Sequence, residues 1–122
     1  MARILLIEDE PLVAHTLRRH LERAGHEVVW APSGERGLAL LGEGFQLVVC
    51  DLVMPGLSGL EVIRRIREGK GPPVLALSAS VSAQSREEAL KAGARAFLGK
   101  PFEAQGLLAL VENLLKGAES PP

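Results

Sequence analysis

The sequence predicts an α/β domain with five parallel strands in the order 2-1-3-4-5 and helices on both faces of the sheet. Three observations point to it. Five short apolar runs recur along the chain, each of a length that suits a strand buried on both faces. Stretches with helical spacing separate them, so strand and helix alternate throughout. Right-handed crossovers then leave few strand orders, and the order chosen sets the chemically equipped strand ends side by side.

Ile4-Leu5-Leu6-Ile7 is the first strand. The helix Leu12 to Ala24 follows, with Pro11 suited to its first turn, where a missing N–H does no harm, and Gly25 as its stop. Val28-Val29-Trp30 forms the second strand and Gly34 to Leu41 the second helix. Leu47-Val48-Val49-Cys50 is the third strand, and Ser58 with Glu61 matches a capping box ahead of the helix Leu60 to Arg67. Val74-Leu75-Ala76-Leu77 is the fourth strand. Its helix, Arg86 to Ala92, has Ser85 and Glu88 as a second capping box and Gly93 as its stop. Ala94 to Leu98 and Leu107 to Leu115 complete the series. One domain over residues 1–117 is expected, with 118–122 a flexible tail or the start of a linker because the chain closes on Ser120-Pro121-Pro122.

The chain's 122 residues suit a single core, and a net charge of -1 with 24% charged residues fits an ordinary soluble globule rather than a nucleic-acid coat. Cys50 is the only cysteine, so no intramolecular disulfide forms. No charged-then-apolar leader precedes the first strand, and no apolar run approaches the ~20 residues that span a bilayer. A cytoplasmic location is expected.

In an open parallel sheet, ligands bind beyond the carboxyl ends of the strands. The first strand ends in Glu8-Asp9-Glu10, the third in Asp51, the fourth in Ser78 and the fifth in Lys100-Pro101, while the second ends in Trp30-Ala31-Pro32 without an ionisable group. Two carboxylates about 4 Å apart repel by roughly 4 kcal/mol at an effective dielectric near 20. If Glu8, Asp9 and Asp51 converge, a hard divalent cation resolves the conflict, and Mg²⁺ uses one or two carboxylates while leaving room for phosphate oxygens. An ionised Asp51 beside that metal is a nucleophile toward phosphorus, Lys100 supplies an ammonium, and Ser78 a hydroxyl donor to a phosphoryl oxygen.

Taken singly, each residue has an ordinary explanation. Asp9 could cap a helix, Asp51 could open a turn toward Pro55-Gly56, Ser78 could be a loop hydroxyl, and a Lys before Pro is commonly at the surface. Their joint placement at four strand ends argues against all of these at once. His15 and His20 stand five apart and share no helix face, His26 is isolated, Cys50 reads as a small buried hydrophobe, and the glycines around Ser33 follow the wrong strand for a phosphate loop.

Four motifs in combination, Ile7-Glu8-Asp9-Glu10, Asp51 to Gly56 with Gly59, Leu77-Ser78-Ala79 and Lys100-Pro101-Phe102, resemble the receiver domain of two-component response regulators from about Arg3 to Lys116. The resemblance implies a flavodoxin-like fold with the strand order given above. It implies that Asp51 is the phosphoacceptor, that Asp9, Asp51 and the Val53 backbone carbonyl bind Mg²⁺, and that Glu8 acts through a metal-bound water. It further implies a cis peptide before Pro101, a switch pair of Ser78 and Phe97, and phosphoryl stabilisation by Ser78 and Lys100. The implied partners are a histidine kinase or phosphotransfer protein and an unidentified downstream target that reads the fourth helix, fifth strand and fifth helix. Direct nucleic-acid binding and membrane association are not expected, and the state is monomer or weak dimer. Beyond accepting and slowly losing its own phosphoryl group, no enzyme activity is expected.

The sequence departs from the family pattern in places. Glu8 stands where Asp is common, Phe97 where Tyr is common, and Arg95-Ala96 with Glu112 lack the charges by which winged-helix regulators pair their receivers. With no DNA-binding region in the chain, a stand-alone regulator or phosphorelay intermediate is expected, and a receiver fragment of a larger transcriptional regulator or hybrid kinase is the alternative. A Mg²⁺-dependent phosphatase with an Asp nucleophile is the runner-up from another class, but Val53 fills the place of its general acid. Flavin and nucleotide binding are disfavoured by Glu8-Asp9 and by the lack of a Walker-type motif. Val53 and Ser80 occupy the positions that tune hydrolysis in the family, which implies slow dephosphorylation.

Overall fold

The computed structural model describes residues 1–119, so 120–122 of the expected tail lie outside the described residues. Strands β1 (Arg3–Ile7), β2 (Glu27–Ala31), β3 (Leu47–Asp51), β4 (Val74–Ser78) and β5 (Ala96–Gly99) alternate with helices α1 (Pro11–Arg23), α2 (Gly34–Leu40), α3 (Gly59–Glu68), α4 (Ala83–Ala92) and α5 (Ala104–Glu119). The sheet is parallel throughout and its order is β2-β1-β3-β4-β5, as the sequence predicts.

Successive strand residues point to opposite faces, so each apolar run feeds two cores. Leu5, Ile7, Val48, Cys50 and Ala76 face one layer, closed by Val62, Ile63 and Ile66 of α3 and by Ala89 and Ala92 of α4. Ile4, Leu6, Val49, Leu75 and Leu77 face the other, closed by Ala14, Leu17 and Leu21 of α1 and by Leu107, Val111 and Leu115 of α5. The helical contributors recur at intervals of three and four residues, which is why amphipathic spacing revealed them. Each fully buried Leu or Ile contributes about 2 kcal/mol of transfer free energy. Among the described residues, no helix is long and apolar enough to cross a membrane.

The helix ends follow the expected chemistry with two corrections. Pro11 sits in the first turn of α1, and Gly25 and Gly93 follow α1 and α4 at φ 95° and 128°, where an L side chain is strained. Ser58 caps α3 by accepting from the Glu61 amide at 3.3 Å. Only half of the capping box forms, because the Glu61 carboxylate pairs with Arg64 and Arg65 instead. The cap of α4 is Ser82 and not Ser85: Ser82 has the extended backbone of an N-cap and accepts from the Ser85 amide at 3.1 Å, so Ser85 lies inside the first turn. The same acceptor geometry recurs three residues earlier than expected, in a serine-rich stretch where spacing alone does not choose between them.

Two other element starts differ by more than one residue. β5 begins at Ala96 because the Ala94 amide closes α4 by donating to the Ala89 carbonyl at 3.0 Å. α5 begins at Ala104, three residues before Leu107; its first turn adds little to the periodic signal, because Ala104 is small and half-buried and Gln105 and Gly106 are exposed.

Candidate functional site

The carboxyl ends of β1, β3, β4 and β5 meet in one shallow basin. Parallel registry places them there: Ile7 pairs with Cys50, Asp51 with Leu77, and Ser78 with Gly99, so Glu8 and Asp51 stand level at the sheet's end, with Ser78 one residue further along and Lys100 two. Glu8 is 0% exposed, Asp51 and Ser78 are buried, and Asp9 is half-buried at the rim. One carboxylate oxygen from each of Glu8, Asp9 and Asp51 lies within 4.8 Å of the other two.

Lys100 reaches into this cluster. Its Nζ donates to Glu8 Oε1 at 3.1 Å and to Asp51 Oδ2 at 3.0 Å, following a cis peptide between Lys100 and Pro101. The remaining carboxylate oxygens are met by backbone: the Glu10 amide donates to Glu8 Oε2 at 3.1 Å, and the Val53 amide approaches Asp51 Oδ1 at 3.4 Å. Ser78 Oγ accepts from the Ser80 amide at 3.0 Å, which leaves its hydroxyl proton free to donate elsewhere.

One ammonium shared between two buried carboxylates does not neutralise three of them. Burial is the largest influence on Glu8 and, with the Asp51 charge adding to it, raises its pKa from 4.5 to about 7 despite the Glu10 amide and Lys100. Burial works against the charge on Lys100 as well, but its hydrogen bonds to Asp51 and Glu8 outweigh that, and its pKa stands above the ordinary lysine value. Lys100 is therefore a permanent cation, and Glu8 is the group that gives way by holding a proton. An all-oxygen donor set with this unmet negative charge fits a hard divalent cation such as Mg²⁺.

Two backbone features hold Asp51 in place. The Leu52 amide donates to the Leu77 carbonyl at 2.9 Å, and the Gly59 amide donates to the Leu52 carbonyl at 3.1 Å. A Cβ on Gly59 would stand 2.1 Å from the Asp51 carbonyl oxygen, so α3 starts in direct contact with the strand that carries Asp51.

The other sequence-derived candidates are distributed as follows. The Val53 side chain is 74% exposed at the mouth of the basin. Phe97 is half-buried, pairs in register with Ala76, and packs on the α3 and α4 side of the sheet without entering the acidic cluster. Cys50 is buried in that layer, where burial pushes its thiol far up in pKa and leaves it inert. His26 is far from the basin and structural: its Nδ1 accepts from the Ala2 amide at 3.1 Å and its Nε2 lies 3.4 Å from Glu112 Oε2.

Trp30 carries no ionisable group, so charge at the strand ends does not point to it. It sits next to the last residue of β2, and its indole Nε1 donates to the Glu8 carbonyl at 2.7 Å. The second strand is thus equipped after all, with a neutral donor.

A family model described as the response regulator receiver domain matches residues 4–112. The two-component response regulator PhoP of Pseudomonas aeruginosa is 40% identical over 116 residues, covering 93% of this chain and 52% of the relative. The transcriptional regulatory protein ResD of Bacillus subtilis is 34% identical over 117 residues, covering 95% of this chain and 49% of the relative. The chain spans about half the length of these curated relatives. Among solved structures, a response regulator receiver domain protein from Clostridium thermocellum superposes with a TM-score of 0.91 at 31% identity, covering 98% of both chains. The chemotaxis protein CheY4 of Vibrio cholerae superposes with a TM-score of 0.87 at 29% identity, covering 93% of this chain and 98% of the other.

Proposed function

Because this chain belongs to the response regulator receiver family, we propose that it is switched by transfer of a phosphoryl group to Asp51 from a histidine kinase or phosphotransfer protein. The observation that carries the proposal is the Lys100 ammonium held 3.1 Å from Glu8 and 3.0 Å from Asp51 inside a cluster of three carboxylates. An Asp51 carboxylate oxygen forms the bond to phosphorus, and the bond from phosphorus to the donor's imidazole nitrogen breaks with its electron pair returning to that nitrogen. Lys100 keeps its proton and faces the incoming negative charge as a fixed cation. Asp9, Asp51 and the Val53 carbonyl would hold Mg²⁺, with Glu8 acting through a water, and the ion when bound neutralises charge on the transferring group.

After transfer, the Ser78 hydroxyl donates to a phosphoryl oxygen, and Phe97 repacks behind it. Phe97 has no hydroxyl, so its position is read by packing alone. The readout surface is that of α4, β5 and α5, where Leu90 of α4 is 41% exposed, and Val81 in the loop leading into α4 is 68% exposed.

The proposal is tested by intact mass after incubation with acetyl phosphate. One phosphoryl adduct in Mg²⁺ and none after chelation is expected; an adduct independent of metal would overturn it. The phosphatase alternative lacks support at Val53, an exposed apolar side chain where a general acid would stand. Because Val53 does not orient water, the phosphoryl group is expected to be long-lived. Val53→Asn should shorten its half-life severalfold, and an unchanged decay would count against this account.

The protonation of Glu8 predicts a pH dependence. Proton and cation compete for the cluster, so Mg²⁺ affinity should rise roughly tenfold between pH 6 and pH 8, as Glu8 with a pKa of about 7 loses its proton. Without metal the sign for stability is opposite. A folded-state pKa above the ordinary 4.5 contributes stability that is full below that value and is lost as pH rises through about 7. Calorimetric Mg²⁺ titrations and urea unfolding across this window check both, and a flat Mg²⁺ affinity would mean that Glu8 does not exchange a proton for the cation between pH 6 and pH 8.

A further inference from the structure

We propose that Trp30 is a positioning residue for the metal site, acting through the backbone of Glu8; this rests on the Mg²⁺ reading above. Glu8, Asp9 and Glu10 lie past the end of β1 and before the start of α1, outside both. Their geometry therefore depends on individual contacts. The Glu8 amide donates to the Ala31 carbonyl at 3.1 Å, and the Trp30 indole donates to the Glu8 carbonyl at 2.7 Å. Both polar groups of the Glu8 backbone are thus clamped to the end of β2.

The peptide unit is planar, so fixing the Glu8 carbonyl also fixes the Asp9 nitrogen and the direction in which the Asp9 Cα leaves the strand. The indole bond therefore sets the relative placement of Glu8 and Asp9, the two acids that β1 supplies. The Glu8 side chain is held by other groups, Lys100 and the Glu10 amide, whereas Asp9 is half-buried at the rim. Asp9 is accordingly the acid whose position depends most on Trp30.

The residue type suits the task. An indole is a long side chain with one donor and no acceptor, and it carries no charge. A lysine or arginine in its place would add a cation beside a site built to attract one, and a serine would not reach. Trp30 is the only tryptophan in the chain, which makes its indole proton a single spectroscopic probe.

The test is a calorimetric Mg²⁺ titration of wild type, Trp30→Phe and Val28→Ala, each paired with urea unfolding of the metal-free protein. Trp30→Phe keeps a ring and loses the donor, and should bind Mg²⁺ about tenfold more weakly, the range in which outer contacts to metal ligands act. Val28 is buried in β2 away from the site, so Val28→Ala should lower the unfolding midpoint and leave Mg²⁺ affinity unchanged. In wild type the Trp30 indole N–H resonance should move with Mg²⁺ and share the calorimetric midpoint. Wild-type affinity in Trp30→Phe, or an indole resonance that stays fixed through saturation, would overturn the proposal while leaving the metal site intact. If wild type binds no Mg²⁺, the metal reading fails, and the role of Trp30 with it.

Discussion

Asp51→Asn is expected to abolish the phosphoryl adduct while leaving the fold intact. Asparagine matches aspartate in shape and fills the same buried position at the end of β3, but its neutral amide does not attack phosphorus. The transfer rate should fall by about a thousandfold or more, the scale on which losing a nucleophile acts. The fold tolerates the change because Lys100 retains Glu8 as a partner at 3.1 Å.

The variant also has a second, independent signature. The Asp51 charge is one of the causes that raise Glu8, and Asp51 takes part of the Lys100 ammonium. Removing it acts in the same direction on both counts, so the Glu8 pKa falls from about 7 and the pH dependence of Mg²⁺ affinity shifts toward acid. Burial, the largest cause, remains, and the shift is partial. Peptide mapping completes the test, since Glu8, Asp9 and Ser78 are the other oxygen nucleophiles in the basin. An adduct of wild-type extent in Asp51→Asn, mapped to any of them, would refute the assignment.

Much of this site was legible in the sequence because parallel strands buried on both faces read as continuous apolar runs, and the first polar residue after each run marks where the sheet ends. Glu8, Asp51, Ser78 and Lys100 follow from that rule alone, and the structure brings them together. What escaped was contact made by atoms without a chemical flag. Trp30 acts through a single neutral N–H, and a search for ionisable groups passes over it. Ser82 and Ser85 both offer a capping oxygen, and only the backbone conformation chooses. The start of α5 is not marked by apolar period, because Ala104 is small and half-buried and Gln105 and Gly106 are exposed. The role of Gly59 was visible as part of a motif, but its reason is steric and needs coordinates.

Gly59→Ala supplies the second large effect, this time on stability. An alanine Cβ would lie 2.1 Å from the Asp51 carbonyl oxygen, 2.6 Å from the Leu52 Cα and 2.9 Å from the Asp51 carbonyl carbon. All three are backbone atoms, so no side-chain rotation relieves the overlap. Alanine is worth up to about 1 kcal/mol over glycine inside a helix, and less at the first position of α3. Overpacking of this kind costs about 3 kcal/mol, which outweighs that gain. The strain is expected to displace α3 rather than β3, because β3 is bonded to β1 on one side and β4 on the other and is buried along its whole length. Urea unfolding of the metal-free protein should show a lowered midpoint for Gly59→Ala. Gly42→Ala, where an added Cβ has nothing within 4 Å, should stay within about 0.5 kcal/mol of wild type. With β3 expected to hold still, the folded fraction of Gly59→Ala should still accept a phosphoryl group, which separates it from Asp51→Asn. A Gly59→Ala domain as stable as wild type would mean that α3 is not seated against β3 as closely as described.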